Sequence, residues 1–189
     1  MMLKIDWLDP IRLSLADDDS EIALVRRLKS EIKEATSDWD LGRSVYLIRL
    51  AGRAVIVYDN DFHSPLVYVG RGDSVRRLAS HLKRWATEAF TWGQDTELEI
   101  RILCPSLKND DECFKNVEAD LLRWFHDRAG MLPLINSRFE KSYEGAVRYS
   151  AKDKRRLQQL LQVGSGRRPY RAIYPMRSNP HYDRYWKNW

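Results

Sequence analysis

Between Ser44 and Gly70 the chain strings together three runs rich in β-branched and aromatic residues, and nothing else in the sequence constrains the fold as much. "SVYLIRL" (Ser44 to Leu50) and "RAVIVY" (Arg53 to Tyr58) are separated only by Ala51 and Gly52, which reads as strand, tight turn or bulge, strand. The polar run "DNDFHSP" interrupts, and "LVYVG" resumes as a third strand. A fourth is read in "TELEIRIL", where Leu98, Ile100 and Ile102 alternate with Glu97, Glu99 and Arg101, the pattern of a half-buried antiparallel strand.

Helical spacing surrounds these runs. Ile22, Val25, Leu28 and Ile32 predict an amphipathic helix from Ser20 to Thr36, and nothing in it looks catalytic. A second helix is expected from Ser74 or Val75 to about Ala89, capped by Asp73 or Ser74, with Val75, Leu78, Leu82 and Trp85 inward. Arg77 and His81 are four apart and share a face of it. A third carries the stripe Phe114, Val117, Leu121, Leu122 and Phe125 and stops at Gly130, and a last one spans Lys152 to Val163. Glu118 falls on or beside the apolar stripe, where a carboxylate costs free energy unless it is paired, hydrogen-bonded or bound to metal.

These elements predict an α+β fold, a small antiparallel sheet flanked by helices with helical N- and C-terminal additions. At 189 residues and 43% hydrophobic, one well-buried core is expected. The expected divisions are a helical extension over 1–43, a core over 44–140, and a C-terminal helix with a basic, aromatic-rich tail over 141–189, packed together as one domain. No run of about 18 apolar residues is present, and "MMLKIDWLDP" is too short and polar for the centre of a signal peptide, so a soluble, cytoplasmic protein without a membrane partner is expected. Cys104 and Cys113 lack the spacing of a zinc site and read as free thiols.

Charge is unevenly placed. The formal net charge is +5, yet Ala151 to Trp189 holds ten Lys or Arg against two Asp, so the rest of the chain is slightly acidic. A basic arm for a polyanion is one reading and a solvated tail the other. Arg167, Arg168, Arg171 and Arg177 stand among Tyr170, Tyr174 and Trp186, a mixture of cations and stacking surfaces suited to nucleic acid.

Five elements in order resemble the GIY-YIG nuclease superfamily: "SVY" (Ser44 to Tyr46), "YVG" (Tyr68 to Gly70), the helix "VRRLASH" with Arg77 and His81, "VEADLL" (Val117 to Leu122) with Glu118, and "LPLIN" ending at Asn136. The match covers about half the chain. Two departures stand out: the gap from Tyr46 to Tyr68 is longer than in compact members, which leaves Tyr58 as a rival first tyrosine, and Arg77 lies one residue closer to Tyr68 than is common.

The resemblance implies metal-dependent hydrolysis of a DNA phosphodiester. Glu118 would hold Mg²⁺ or Mn²⁺, Arg77 would bind the scissile phosphate, and Tyr46 or Tyr68 would take a proton from water, helped by nearby positive charge because an ordinary phenol has a pKa of about 10. His81 would assist proton transfer or orient a tyrosine, and Asn136 would fix the tyrosine or metal-water geometry. Gly70 would let the phosphate backbone approach, while Arg71, Arg76, Lys83 and Arg84 would contact neighbouring phosphates. Against this stand a catalytically idle nucleic-acid-binding or scaffolding module, and a protein-interaction domain in which Glu118 simply pairs with Arg77. No zinc finger or helix-turn-helix is recognisable, and double-strand cleavage by one site per monomer would need a homodimer or two successive events.

Overall fold

The computed structural model describes residues 2–14, 20–36, 39–51, 54–92, 96–139, 147–163 and 171–173. It is α+β, with an antiparallel sheet of five strands flanked by helices. At its centre β3 (Ser44–Leu50), buried at every position, lies between β6 (Leu66–Gly72) and the long β7 (Glu97–Ser106). Burial on both faces is what its near-continuous apolar composition demands.

The N-terminal segment differs from the expected helical extension. β1 (Lys4–Trp7) and β2 (Ile11–Ser14) both pair antiparallel with the free edge of β7, and only then does α1 (Glu21–Ala35) begin. Four-residue strands are too short to announce themselves by alternation, and β7 supplies the edge that makes them strands. Ser20 caps α1 by accepting from Ala23 N at 3.2 Å; Leu24, Val25, Leu28 and Ile32 face inward, whereas Ile22 is 68% exposed.

The strand after β3 also leaves the expected sheet. β4 (Ala54–Tyr58) pairs antiparallel with β5 (Phe62–Ser64) and parallel with β8 (Arg171–Ile173), forming a separate three-stranded sheet. Both edges of β3 are taken by β6 and β7, so no place for β4 remains beside it. Asn60 and Asp61, at φ of 56° and 53°, turn the chain between β4 and β5 in a left-handed conformation that these residue types tolerate.

Strand β7 is more buried than its alternation predicts. Glu99 is 1% exposed, and the Arg49 guanidinium directly across the ladder and Arg101 Nε, at 3.0 Å, both bind its carboxylate. That pairing is what makes the burial tolerable.

Helix α2 (Ser74–Leu82) starts at Asp73, whose carboxylate accepts from Arg76 N at 3.0 Å, and ends seven residues short of the expected Ala89; Ala86–Trp92 continues as a 3₁₀ helix. Helix α3 (Cys113–Ala129) closes on Gly130 at φ 74°, and α4 (Ala151–Leu160) is capped by Ser150. One continuous apolar core joins the main sheet to α1, α2, α3 and α4. Cys104 and Cys113 are free thiols, and among the described residues no helix is long and apolar enough to cross a membrane.

Candidate active site

The site begins with a register. Tyr46 on β3 lies directly opposite Gly70 on β6, and Tyr68 projects two residues away on the same face. A Cβ at Gly70 would sit 2.5 Å from Tyr46 Oη and 2.7 Å from Tyr68 Cε1. The glycine therefore makes room for two phenols, and its expected role of admitting a phosphate backbone is corrected: its open face is already filled by tyrosine.

Helix α2 crosses this face and delivers Arg77 and His81 one turn apart. Arg77 Nε donates to Tyr46 Oη at 3.0 Å, and His81 Nε2 lies 2.9 Å from the same oxygen. On the other side of the imidazole, Trp85 Nε1 donates to His81 Nδ1 at 2.9 Å. An indole N–H can only donate, so Nδ1 is the acceptor; the neutral ring carries its proton on Nε2 and donates it to Tyr46. The Tyr46 oxygen thus accepts from two cation-capable side chains. Of the two expected roles for His81, the geometry supports orienting the tyrosine: the nitrogen facing Tyr46 already holds a proton.

Electrostatics follow from burial. His81 is pushed down to about 4 by burial first, then by Arg77 and Arg84, and it is neutral at physiological pH. Burial raises the Tyr46 pKa, Tyr68 adds to the rise, and the bond from Arg77 opposes it without winning. Tyr46 keeps its proton at neutral pH.

A cleft of about 890 Å³ opens beside Tyr68, with Arg71, Arg77, Arg84, Lys115 and Arg138 among its lining and Glu118 as the single carboxylate. Glu118 is buried at 5% exposure, and its Oε2 accepts from Arg71 Nη1 at 2.6 Å. The alternative in which Glu118 pairs with Arg77 is not what the structure shows: Arg77 bonds to Tyr46, and Arg71, expected to reach neighbouring phosphates, instead pairs with the carboxylate.

Asn136 is also corrected. Its side-chain amide donates to Val69 O at 2.8 Å and accepts from Val69 N at 2.9 Å. The amide thus imitates a neighbouring strand along the outer edge of β6, and that pairing engages both of its polar ends. It holds β6 in place and does not bond to either tyrosine.

Tyr58 lies elsewhere, its hydroxyl donating to Leu66 O and accepting from Leu134 N at 3.2 Å. Arg76 on α2 and Lys83 and Arg84 just beyond its end are exposed. Arg171 lies in β8, with its side chain outside the described residues, as are Arg167, Arg168, Arg177, Tyr170, Tyr174 and Trp186. Trp85 was read only as a core residue, although its position four after His81 put both on one face, the signal that could have identified it as the group fixing the imidazole tautomer.

Cys104 offers no rival nucleophile. It borders a separate pocket of about 290 Å³, where burial, with Asp6 and Asp40 adding, pushes the thiol up to about 11. No protein-family model, curated protein or solved structure matches the chain.

Among the described residues no three His, Cys, Asp or Glu side chains gather to hold a metal ion. Of the described residues lining the cleft, one buried carboxylate, Glu118, is of the oxygen-donor type a hard divalent cation with a largely aqueous shell takes, and Arg71 binds one of its oxygens.

Proposed function

We propose that the chain is a metal-dependent DNA endonuclease of the GIY-YIG type, working in the cytoplasm. The observation that carries this reading is that Arg77 and His81, which with Tyr68 line a cationic cleft whose single carboxylate among the described residues is Glu118, converge on the buried Tyr46 Oη behind it. A phenol held by a guanidinium and an imidazole beside a cationic cleft is the kind of ionisable cluster that supports a functional-site reading.

Glu118 is the residue that would hold Mg²⁺ or Mn²⁺, which when bound supplies neutralisation of charge on the phosphoryl and leaving oxygens. Arg77 is exposed to the cleft with its Nε on Tyr46, and the rest of its guanidinium binds the scissile phosphate. His81 and Arg77 orient Tyr46. Deprotonating Tyr46 requires more positive charge than Arg77 brings, a physical reason for the reaction to depend on a metal.

The Arg71–Glu118 ion pair favours a second reading, an idle nucleic-acid-binding or scaffolding module, because it satisfies the carboxylate without metal. Plasmid cleavage separates the two. With supercoiled DNA and Mg²⁺ or Mn²⁺, the wild type is expected to nick, or to linearise if two copies act together, and EDTA, Glu118→Ala or Arg77→Ala at matched folded concentration should abolish it. Absence of cleavage under any metal, with DNA binding retained in both variants, would establish the idle module instead.

A further inference from the structure

Helices α1 and α2 leave between them a groove of about 520 Å³, lined by Lys29 of α1, Arg76 of α2, and Lys83 and Arg84 just beyond the end of α2. The four side chains are exposed, and none has a carboxylate partner among the described residues. Asp73 is the only acid in the lining, and it is occupied in capping α2. Four cations facing a concavity against one engaged carboxylate repel one another, a cost that an incoming polyanion removes.

Arg84, just beyond the C-terminal end of α2, lines both this groove and the cleft, so the two positive surfaces adjoin at that residue. A sugar-phosphate backbone, with a charge at every nucleotide, can engage both surfaces at once.

We infer that α1, α2 and the residues just after α2 form a second phosphate-binding subsite, which takes the backbone of one flank of the DNA beside the cleft. The inference rests on the nuclease reading for the role of the cleft. It gives the N-terminal helix, which carries no catalytic pattern, a binding role through Lys29.

The test is fluorescence anisotropy of a labelled duplex with the full chain, over a salt series, comparing wild type with Lys29→Ala, Lys83→Ala and the double variant, each checked for an unchanged melting temperature. The slope of log affinity against log salt should shrink by about one per lysine removed and about two for the pair. Neutral methylphosphonate linkages in one flank should weaken wild-type binding more than that of the double variant, in which only Arg76 and Arg84 remain to meet those phosphates. Unchanged slopes in a wild type that does cleave would overturn the subsite alone. Reduced slopes in a wild type that never cleaves would overturn the nuclease reading and keep the groove as a nucleic-acid site. Binding of an acidic peptide or anionic vesicles, lost on Lys29→Ala while duplex binding persists, would assign the groove to another polyanion and overturn the inference.

Discussion

Tyr46 and Tyr58 are both buried, at 0% and 2% exposure, and both end in a hydroxyl with two partners. Around Tyr58 the partners are backbone groups of Leu66 and Leu134, and its ring stands edge-on to Phe125 at 4.9 Å. Around Tyr46 they are Arg77 and His81, with Tyr68 tilted beside it at 6.1 Å. Burial therefore does not distinguish a tyrosine bonded to backbone from one bonded to ionisable side chains. What differs is whether the hydroxyl meets fixed dipoles, which tie two segments together, or ionisable groups, whose charge a ligand can change.

The sharpest way to break the comparison is to remove each hydroxyl. Tyr46→Phe should cut metal-dependent plasmid cleavage by about 10²- to 10⁴-fold. Tyr58→Phe should leave cleavage per folded molecule intact and cost about 1–3 kcal/mol in urea denaturation, because Leu134 N–H and Leu66 O lose a partner. Equal effects on cleavage would show that the two tyrosines differ only in position. Gly70→Ala attacks the first environment by crowding: with a Cβ 2.5 Å from Tyr46 Oη, a loss of about 1–3 kcal/mol and a displaced phenol are expected, read as a lower melting temperature together with lost cleavage.

A titration sharpens it further. His81 is depressed from its ordinary 6.5 to about 4 in the fold, so on acidification the unfolded chain takes up a proton before the native one does. Stability from this group is whole above pH 6.5, is lost as pH falls toward 4, and changes no further below that. The loss is on the order of 3 kcal/mol, and a urea midpoint series from pH 7 to 4 should show it in wild type and lose that share in His81→Gln. The smallest effect expected is at the carboxylate. Arg71→Ala removes the competitor at Glu118 Oε2, so Mn²⁺ affinity measured by calorimetry should rise several-fold; a fall would mean that Arg71 helps to build the metal site.

Much of this was legible in the chain. The central strand, the edge strand with its "YVG", and the helix bearing Arg77 and His81 were placed from composition and spacing. The awkward Glu118 on an apolar face did mark a buried carboxylate. The different surroundings of Tyr46, third in β3, and Tyr58, last in β4, were not legible, because the groups that meet their hydroxyls come from other elements. Nor was Arg71: a residue just beyond a strand glycine shows no sign of a partner 47 positions away. Asn136 looked like a functional polar group, and its amide instead completes the edge of β6.

The sequence by itself determined where strands and helices form and which side chains with chemical capacity they carry, since periodicity and caps act within a few residues. Tertiary structure alone decided that β4 leaves the main sheet, that Gly70 shelters a phenol, that Trp85 sets the tautomer of His81 and that Arg71 occupies Glu118. Those outcomes depend on which strand edges remain open and which groups meet across the core. Contacts between residues tens of positions apart leave no local pattern to read.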